Sequence, residues 1–283
     1  MLGRATLDPA YAYRNSKKDT MPGGFVEVAD VRLTYGGAGG TLAVDGLTLG
    51  VEKGQFAAVV GPSGCGKSTL MKLTTGLVRP QRGTVHVAGN PVTGPVSMAG
   101  MAFQNPSLLP WRTTLKNVML PLEIVQPHRG RLSCEREAYT KQAEDLLSLV
   151  GLKGFGSKFP WQLSGGMQQR SNLCRALIHD PALLMLDEPF GALDAFTREE
   201  LWQVMRDLHA EKKMTVILVT HDLREAVYLA DRIFVMSARP GRIIETRDIH
   251  FPRPRPIDIT YTGEFNAIVH ELREHIAGAR AVA

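Results

Sequence analysis

The stretch QFAAVVGPSGCGKST, residues Gln55–Thr69, contains the pattern G-x-x-x-x-G-K-S/T. The apolar run at its start predicts a buried strand, and the run Leu70–Leu77 after it predicts a helix. Glycines in such a loop let backbone N–H groups and the helix N-terminus surround phosphate oxygens, and Lys67 is expected to reach the β- and γ-phosphates. The stretch therefore predicts a loop that binds a nucleotide polyphosphate. The residues predicted to contact the nucleotide here are Gly61, Pro62, Ser63, Gly64, Cys65, Gly66, Lys67, Ser68 and Thr69.

Two acidic residues follow a second apolar run, Leu183–Leu186. Ligands of open parallel sheets collect at the carboxyl ends of the strands, so we expect Asp187 and Glu188 to lie near the phosphate loop. Asp187 and Ser68 fit the ligands of Mg²⁺, and Glu188 fits a base that polarises an attacking water. The alternative is that both acids are solvated and open a loop before Pro189.

The octapeptide Leu163–Arg170, LSGGMQQR, opens a predicted helix. Ser164 suits the N-cap position, and Gly165 and Gly166 allow another group to approach the exposed N–H donors closely. Ordinary helix capping is one interpretation of this stretch. A second anion-binding helix start, in a chain that already contains one, is the other.

The runs around these motifs predict the fold class. Strand-like runs, Phe25–Val31 and Leu42–Val51, precede the phosphate loop, and the chain becomes helical from about residue 105 to 163. Within that region, Arg136–Val150 carries apolar residues at three- or four-residue spacing. Helices and strands then alternate, which predicts a parallel sheet covered by helices and hence an α/β fold. The predicted elements there are helix Gly166–His179, strand Leu183–Leu186, helix Thr197–Glu211, strand Thr215–Val219, helix Leu223–Ala230 and strand Ile233–Met236.

Composition narrows the class of protein. The chain has 283 residues, 44% of them apolar, which is enough for two domain-sized units or one large domain with a subdomain. The chain has 33 Lys and Arg and 28 Asp and Glu, a net charge of +5. This positive charge is compatible with several kinds of anionic partner and does not distinguish between them. Three widely spaced cysteines exclude a disulfide framework, and Cys65 is expected to have a lowered pKa because backbone amides surround it. No apolar run approaches the ~18–20 residues that span a bilayer, so we expect a cytoplasmic protein.

The two ends of the chain differ from its centre. Residues 1–24 are polar and punctuated by Gly and Pro, and we expect them to form a flexible extension. The run FPRPRP, Phe251–Pro256, predicts a linker, and the segment 251–283 ends in a helix with apolar residues on one face. That face either docks on the protein's own core or contacts a partner.

Taken in order, the phosphate loop, Leu163–Arg170 and Leu183–Glu188 resemble the ATP-binding subunit of an ATP-binding-cassette (ABC) transporter. The resemblance runs from about Phe25 to Arg242. It implies an α/β P-loop NTPase fold with a RecA-like core, an N-terminal antiparallel β-subdomain and an α-helical subdomain inserted at about residues 105–165. The ATP-binding domain would then span residues 25–250.

The resemblance also assigns roles to residues that their spacing does not single out. It implies that Gln104 contacts Mg²⁺ and the attacking water and that His221 contacts the γ-phosphate. It further implies that Tyr35 stacks on adenine, and that Gln168 and Asp194 contact the nucleotide. Without the resemblance, the alternatives are that His221 is a structural histidine and that Tyr35 is a tyrosine at the end of a strand. The residues implied to carry catalysis are Glu188, His221, Lys67 and Gln104.

The resemblance implies particular partners as well. Two such subunits pair head to tail, with ATP and Mg²⁺ between the phosphate loop of one and the Ser164 helix start of the other. Transmembrane permease subunits are separate chains, and a solute-binding protein delivers the cargo. The subunit would therefore lie peripherally on the cytoplasmic face of the inner membrane. Phe103–Val118 and Ser237–Ile243 are most similar to the nitrate, sulfonate and taurine importer group. The residues implied to meet the permease are Leu108, Leu109 and Trp111, with ordinary packing as the alternative.

Three other classes of protein carry a phosphate loop. ABC-type ATPases of DNA repair or translation usually add a second cassette, coiled coils or zinc ligands, which this sequence lacks, so no nucleic-acid partner is expected. A P-loop kinase or GTPase would leave Leu163–Arg170 without a role. A nucleotide-sensing module without turnover is disfavoured by the presence of Glu188 and His221.

Overall fold

A computed structural model describes residues 24–37 and 39–281. The expected N-terminal extension lies outside these residues, apart from Gly24. The strands are β1 Val26–Tyr35, β2 Thr41–Val51, β3 Phe56–Val60, β4 Arg82–Val87, β5 Asn90–Pro91, β6 Ala99–Ala102, β7 Leu183–Asp187, β8 Thr215–Val219, β9 Arg232–Met236 and β10 Ile243–Asp248. The α-helices are α1 Lys67–Thr74, α2 Thr114–Val118, α3 His128–Arg131, α4 Arg136–Leu149, α5 Gly165–Leu177, α6 Ala195–Lys212, α7 Leu223–Leu229 and α8 Gly263–Ala281. The 3₁₀ turns are Leu120–Glu123, Pro160–Gln162 and Ile257–Tyr261.

The larger sheet has the strand order β10-β9-β3-β8-β7-β6. All neighbours run parallel except β10, which pairs antiparallel with β9 at one edge. Strands β3, β7 and β8 are buried along their whole length because their side chains are almost entirely apolar. The loops that follow five parallel strands therefore open at one edge of the sheet, and the phosphate loop is among them.

The smaller sheet is antiparallel, with the strand order β2-β1-β4-β5. Strand β3 of the larger sheet separates two apolar clusters, because successive side chains point to opposite faces. Ala57 and Val59 pack with the antiparallel sheet, whereas Ala58 and Val60 pack with the helices. The expected antiparallel β-subdomain is confirmed, and it covers one face of the central sheet.

Most predicted elements lie within a few residues of the observed ones. Strand β1 continues past Val31 to Tyr35, and the helix predicted over Arg136–Val150 is α4. Strand β10 was not predicted because its sequence, IIETRD, mixes apolar and charged residues at a partly exposed sheet edge. No helix in residues 24–37 and 39–281 is long and apolar enough to span a bilayer.

Helix α8 docks on the protein's own core. Phe265 and Leu272 are buried, and Ile268, Val269 and Ile276 pack against the same cluster. The interpretation that the C-terminal apolar face docks on the protein's own core is therefore confirmed.

The segment Phe251–Pro256, between β10 and α8, is anchored by a buried arginine. Arg255 is 1% exposed, and its Nη1 donates to the carbonyl oxygens of Val227, Tyr228 and Ala230 at 3.1, 2.9 and 2.8 Å. Burial lowers the pKa of this guanidinium to about 10. The guanidinium thus satisfies carbonyl groups at the end of α7 that the helix itself leaves free.

Arg255→Met is expected to lower the free energy of unfolding by about 3 kcal/mol or more. The change leaves three buried carbonyl oxygens without donors, and each unsatisfied group costs about 1–3 kcal/mol. Urea unfolding followed by circular dichroism measures the effect. The exposed Arg242 provides the control, since Arg242→Met should change stability by less than about 0.5 kcal/mol. Equal stability of the two variants would contradict the anchoring role.

Candidate functional site

A pocket of about 500 Å³ opens at the carboxyl edge of the larger sheet. Its walls come from the phosphate loop, the start of β2 and the loops that follow β6, β7, β8 and β9. The fold therefore brings most of the predicted site residues together, and it adds three that the sequence did not single out. The lining residues are Tyr35, Thr41, Ala43, Ser63, Gly64, Gly66, Lys67, Ser68, Thr69, Gln104, Asp187, Glu188, His221 and Arg239.

The phosphate loop ends in a backbone conformation that favours glycine. Gly66 has a φ of 109°, and a Cβ there would lie 2.8 Å from Cγ1 of Val44. Helix α1 begins at the next residue, Lys67, whose buried Nζ donates to the carbonyl oxygens of Gly61 and Pro62 at 2.9 Å each. The helix N-terminus and the ammonium group therefore place positive charge at the pocket, as phosphate binding requires.

Cys65 lies in this loop with its thiol buried. Burial raises the pKa of the thiol, and the positive charge of Lys67 offsets only part of that rise. The prediction of a lowered pKa is therefore wrong, because the desolvation of a thiolate outweighs the influence of the surrounding amides.

Oxygen donors suited to a divalent cation lie beside the phosphate loop. Asp187, at the end of β7, is 7% exposed and is hydrogen-bonded to the side chain of Ser68. Burial raises the pKa of Asp187, and the Ser68 hydrogen bond opposes that rise. Among the described residues, no group of three or more His, Cys, Asp or Glu residues forms a metal site by itself. The donors fit Mg²⁺, which binds through one or two carboxylates and takes its other ligands from phosphates and water.

Glu188 is contacted by two side chains from different loops. Nε2 of Gln104 donates to its Oε2 at 2.9 Å, and Nδ1 of His221 lies 3.2 Å from its Oε1. Its backbone N–H donates to the carbonyl oxygen of Val219 at 2.8 Å, and its φ of 47° is strained for a non-glycine residue. The carboxylate is thus fixed at the pocket, where it can accept a proton from water.

Tyr35 lies at the rim of the same pocket and is 37% exposed. Its hydroxyl lies 3.5 Å from Oγ1 of Thr69, and Nζ of Lys72 lies 6.0 Å from the ring centroid. A partly exposed ring held beside the phosphate loop suits stacking on a planar base.

The helix start of LSGGMQQR does not line this pocket. The Ser164 hydroxyl accepts from the backbone N–H of Met167 at 3.3 Å, and Gly165 is exposed to solvent. Nε2 of Gln168 donates to two carbonyl oxygens of the preceding turn, at 3.0 and 3.2 Å. Within one chain, Ser164, Gly165, Gly166 and Gln168 therefore do not join Lys67 in one pocket.

Asp194 also lies outside the pocket lining. It caps α6, since its Oδ1 accepts the backbone N–H of Thr197 at 3.0 Å and its Oδ2 accepts the Thr197 hydroxyl at 2.7 Å. These hydrogen bonds lower the pKa of Asp194. Its role within a single chain is helix capping.

Two residues that support the site, Arg198 and Gln169, are not evident from the sequence. Arg198 donates to the carbonyl oxygen of Leu193 at 2.9 Å, and its Nη1 lies 3.3 Å from Oδ2 of Asp222, next to His221. The buried Gln169 donates to the carbonyl oxygen of Glu188 at 3.4 Å. The sequence offered no signal for the role of Arg198, whereas the position of Gln169 inside LSGGMQQR offered a weak one.

A family model described as "ABC transporter" matches residues 44–191, about half of the chain. The chain belongs to the ABC transporter family. It is 45% identical over 215 residues to the aliphatic sulfonates import ATP-binding protein SsuB of Bacillus licheniformis, covering 76% of this chain and 80% of that protein. It is 41% identical over 219 residues to the taurine import ATP-binding protein TauB of Escherichia coli, covering 77% and 83%.

The likeness to ABC transporter ATPases extends to three dimensions. A solved dimeric structure, described as a post-hydrolysis state of an ATP-binding cassette bound to ADP and Pi, superposes with a TM-score of 0.72 at 32% identity. The match covers 80% of this chain and 100% of that one. These similarities confirm the predicted P-loop NTPase fold and the ABC-type ATPase class. None of the three proteins is described by its name as acting on nucleic acid, so that alternative gains no support.

Proposed function

We propose that this chain hydrolyses ATP to drive uptake of a small anion through separate transmembrane subunits. The observation that carries the proposal is the contact of Glu188 with Gln104 and His221 beside the phosphate loop. The similarity to proteins named for sulfonate and taurine import supports a sulfonate, taurine or a related anion such as nitrate as the cargo. A solute-binding protein presents the anion, and the chain works at the cytoplasmic face of the inner membrane.

Nucleotide binding in this proposal depends on contacts at both ends of ATP. Lys67 and the backbone N–H groups of residues 61–69 bind the phosphates, and the Tyr35 ring stacks on adenine. Ser68, Gln104 and Asp187 hold Mg²⁺, which neutralises charge on the phosphate oxygens when it is bound.

The chemical step in this proposal is carried by side chains around one water. Glu188 polarises the attacking water and accepts its proton, while Gln104 and His221 hold the carboxylate in position. His221 also reaches the γ-phosphate. Because phosphoryl transfer depends mainly on positioning and charge stabilisation, these contacts supply most of the rate enhancement.

A second copy of the chain completes each site. The helix start at Ser164 is exposed and does not line the pocket of its own chain, so its N–H donors are accessible to another molecule. We place them against the γ-phosphate held by the partner copy, in a head-to-tail pair, with Asp194 near the same interface. ATP joins the two copies and ADP does not, because ADP lacks the phosphate that these donors contact.

Trp111→Asp is expected to reduce anion uptake by at least about tenfold while leaving ATPase activity of the isolated subunit within about twofold of the parent. Trp111 is 71% exposed and lines a groove with Met119 and Leu132, so it suits an apolar anchor for the permease. Uptake is measured on vesicles containing the complete assembly, and ATP hydrolysis is measured on the purified subunit alone. Tyr261→Asp, at an aromatic residue that is 68% exposed elsewhere, is the control and should change neither activity. Normal uptake by the Trp111 variant would remove this residue from the docking surface.

Reconstitution with the permease subunits and the solute-binding protein tests the proposed function. Lipid vesicles containing the complete assembly should take up taurine, an alkanesulfonate or nitrate only when ATP is present on the side of this chain. Uptake should disappear with Lys67→Ala. ATP hydrolysis that is stimulated by DNA or RNA, in a chain that binds no permease, would contradict the proposal.

A further inference from the structure

The loop 237–242 follows β9 and belongs to none of the ATP-binding motifs, yet it contacts the phosphate loop. Nε and Nη2 of Arg239 both donate to the carbonyl oxygen of Gly64, at 3.1 and 2.9 Å. Arg239 also lines the nucleotide pocket. A single arginine therefore contacts the backbone of the phosphate loop and faces the space that the nucleotide would occupy.

The loop 237–242 is held together by hydrogen bonds to a buried serine. Ser237 is 9% exposed, and the single proton of its hydroxyl is shared between the carbonyl oxygens of Ala238 and Pro240 at 2.8 and 3.1 Å. The same hydroxyl accepts the backbone N–H of Arg242 at 3.1 Å. These bonds fix the backbone on both sides of Arg239. The guanidinium is therefore presented to Gly64 by a preformed turn.

The same loop also contacts the phosphate loop through its backbone. An added Cβ at Gly241 would overlap the carbonyl oxygen of Cys65, so only glycine allows this approach. The backbone N–H of Gly241 donates to the carbonyl oxygen of Ala43 at 2.9 Å, and its carbonyl oxygen accepts the N–H of Asp45 at 3.2 Å. The loop thus joins the phosphate loop to β2, which supplies another wall of the pocket.

We propose that Arg239 is a positioning residue for nucleotide binding, which holds the Gly64 carbonyl so that the phosphate loop is preformed. A guanidinium has five N–H donors, and two of its nitrogens donate to Gly64. Holding that carbonyl restricts the backbone conformation of the phosphate loop, and the positive charge at the pocket favours an anionic ligand. This inference rests on the proposed ATP site at the phosphate loop, and it concerns affinity rather than the chemical step.

Arg239→Ala is expected to raise the KM for ATP and the dissociation constants of ATP and ADP by about five- to tenfold, because it removes a charge-assisted contact. The kcat at saturating ATP should stay within about twofold, since the groups around Glu188 are unchanged. Arg239→Lys, which keeps the charge but lacks the fork of donors, should recover part of the loss. Steady-state kinetics measure KM and kcat, and titration calorimetry measures the dissociation constants.

Arg242→Ala is the matched control, because Arg242 belongs to the same loop, is exposed, and its side chain makes no hydrogen bond or ion pair within the described residues. The KM for ATP and the dissociation constants of ATP and ADP should be the same in Arg242→Ala as in the parent. Parent-like ATP affinity in Arg239→Ala would overturn the inference. A fall in kcat together with a lowered melting temperature of the nucleotide-free variant would also overturn it, since that pattern indicates support of the fold alone. Failure of the parent itself to bind ATP would instead contradict the proposed function.

Discussion

Glu188→Gln is expected to lower ATP turnover by about 10²–10⁴-fold while leaving ATP binding intact. The amide can still accept from Nε2 of Gln104 and contact His221, so the pocket keeps its shape. It cannot accept a proton from the attacking water, which is the one function removed. Phosphate release under single-turnover conditions measures the chemical step, and calorimetry measures the affinity.

Glu200→Gln separates this effect from a general loss of negative charge. Glu200 is an exposed carboxylate on α6 and does not line the pocket, so its variant should hydrolyse ATP at the parent rate. Parent-like turnover in Glu188→Gln would remove Glu188 from its role as the base. Loss of ATP binding in that variant would assign it a structural part in the pocket instead.

Gly165→Asp is expected to reduce ATPase activity by about 100-fold or more without weakening nucleotide binding to the single chain. A Cβ at Gly165 would meet no atom within 4 Å, so the folded chain accommodates the new side chain. A carboxylate at a helix N-terminus stabilises that helix, so the melting temperature of the variant should not fall below that of the parent. The same negative charge would repel the γ-phosphate that a partner copy presents to α5.

The control for this change is Gly263→Asp. Gly263 is likewise the first residue of a helix, α8, and a Cβ there also meets no atom within 4 Å. Its variant should keep the parent ATPase rate. Equal rates for the two variants would contradict the role of α5 in the partner's site, and a raised dissociation constant in Gly165→Asp alone would place α5 in its own chain's pocket.

Contiguous motifs allowed much of the site to be predicted from the sequence. The phosphate loop and the acids after Leu183–Leu186 each lie at the end of an apolar strand, so local pattern and parallel-sheet geometry together place Lys67, Asp187 and Glu188 at one edge. Gln104 and His221 were assigned only through family resemblance. The structure brings both into contact with Glu188, although no local periodicity indicates that contact.

Contacts between distant residues could not be predicted in this way. Arg239 reaches Gly64 across 175 positions, and Arg198 reaches Asp222 from another helix. An arginine in a loop has the same local appearance whether it is solvated or bound to a carbonyl group. Only the strand order, which sets β9 beside β3, brings Arg239 to the phosphate loop.

Burial also determines two features that the sequence does not reveal, the pKa of Cys65 and the anchoring role of Arg255. The pKa of Cys65 depends on how far its thiol is removed from water, which the surrounding glycines do not reveal. Arg255 lies in a proline-rich run typical of exposed linkers, yet it is among the most buried side chains described. In both cases the deciding quantity is solvent exposure, which is a property of the folded chain.

In the proposed dimer, ATP joins two copies of this chain, and each copy completes the other's site. Light scattering of Glu188→Gln at saturating ATP and Mg²⁺ tests this pairing, because the variant should bind ATP without hydrolysing it. We expect a particle of twice the 31.0 kDa chain mass with ATP, and a single chain with ADP. A mass of 31.0 kDa at saturating ATP would contradict it.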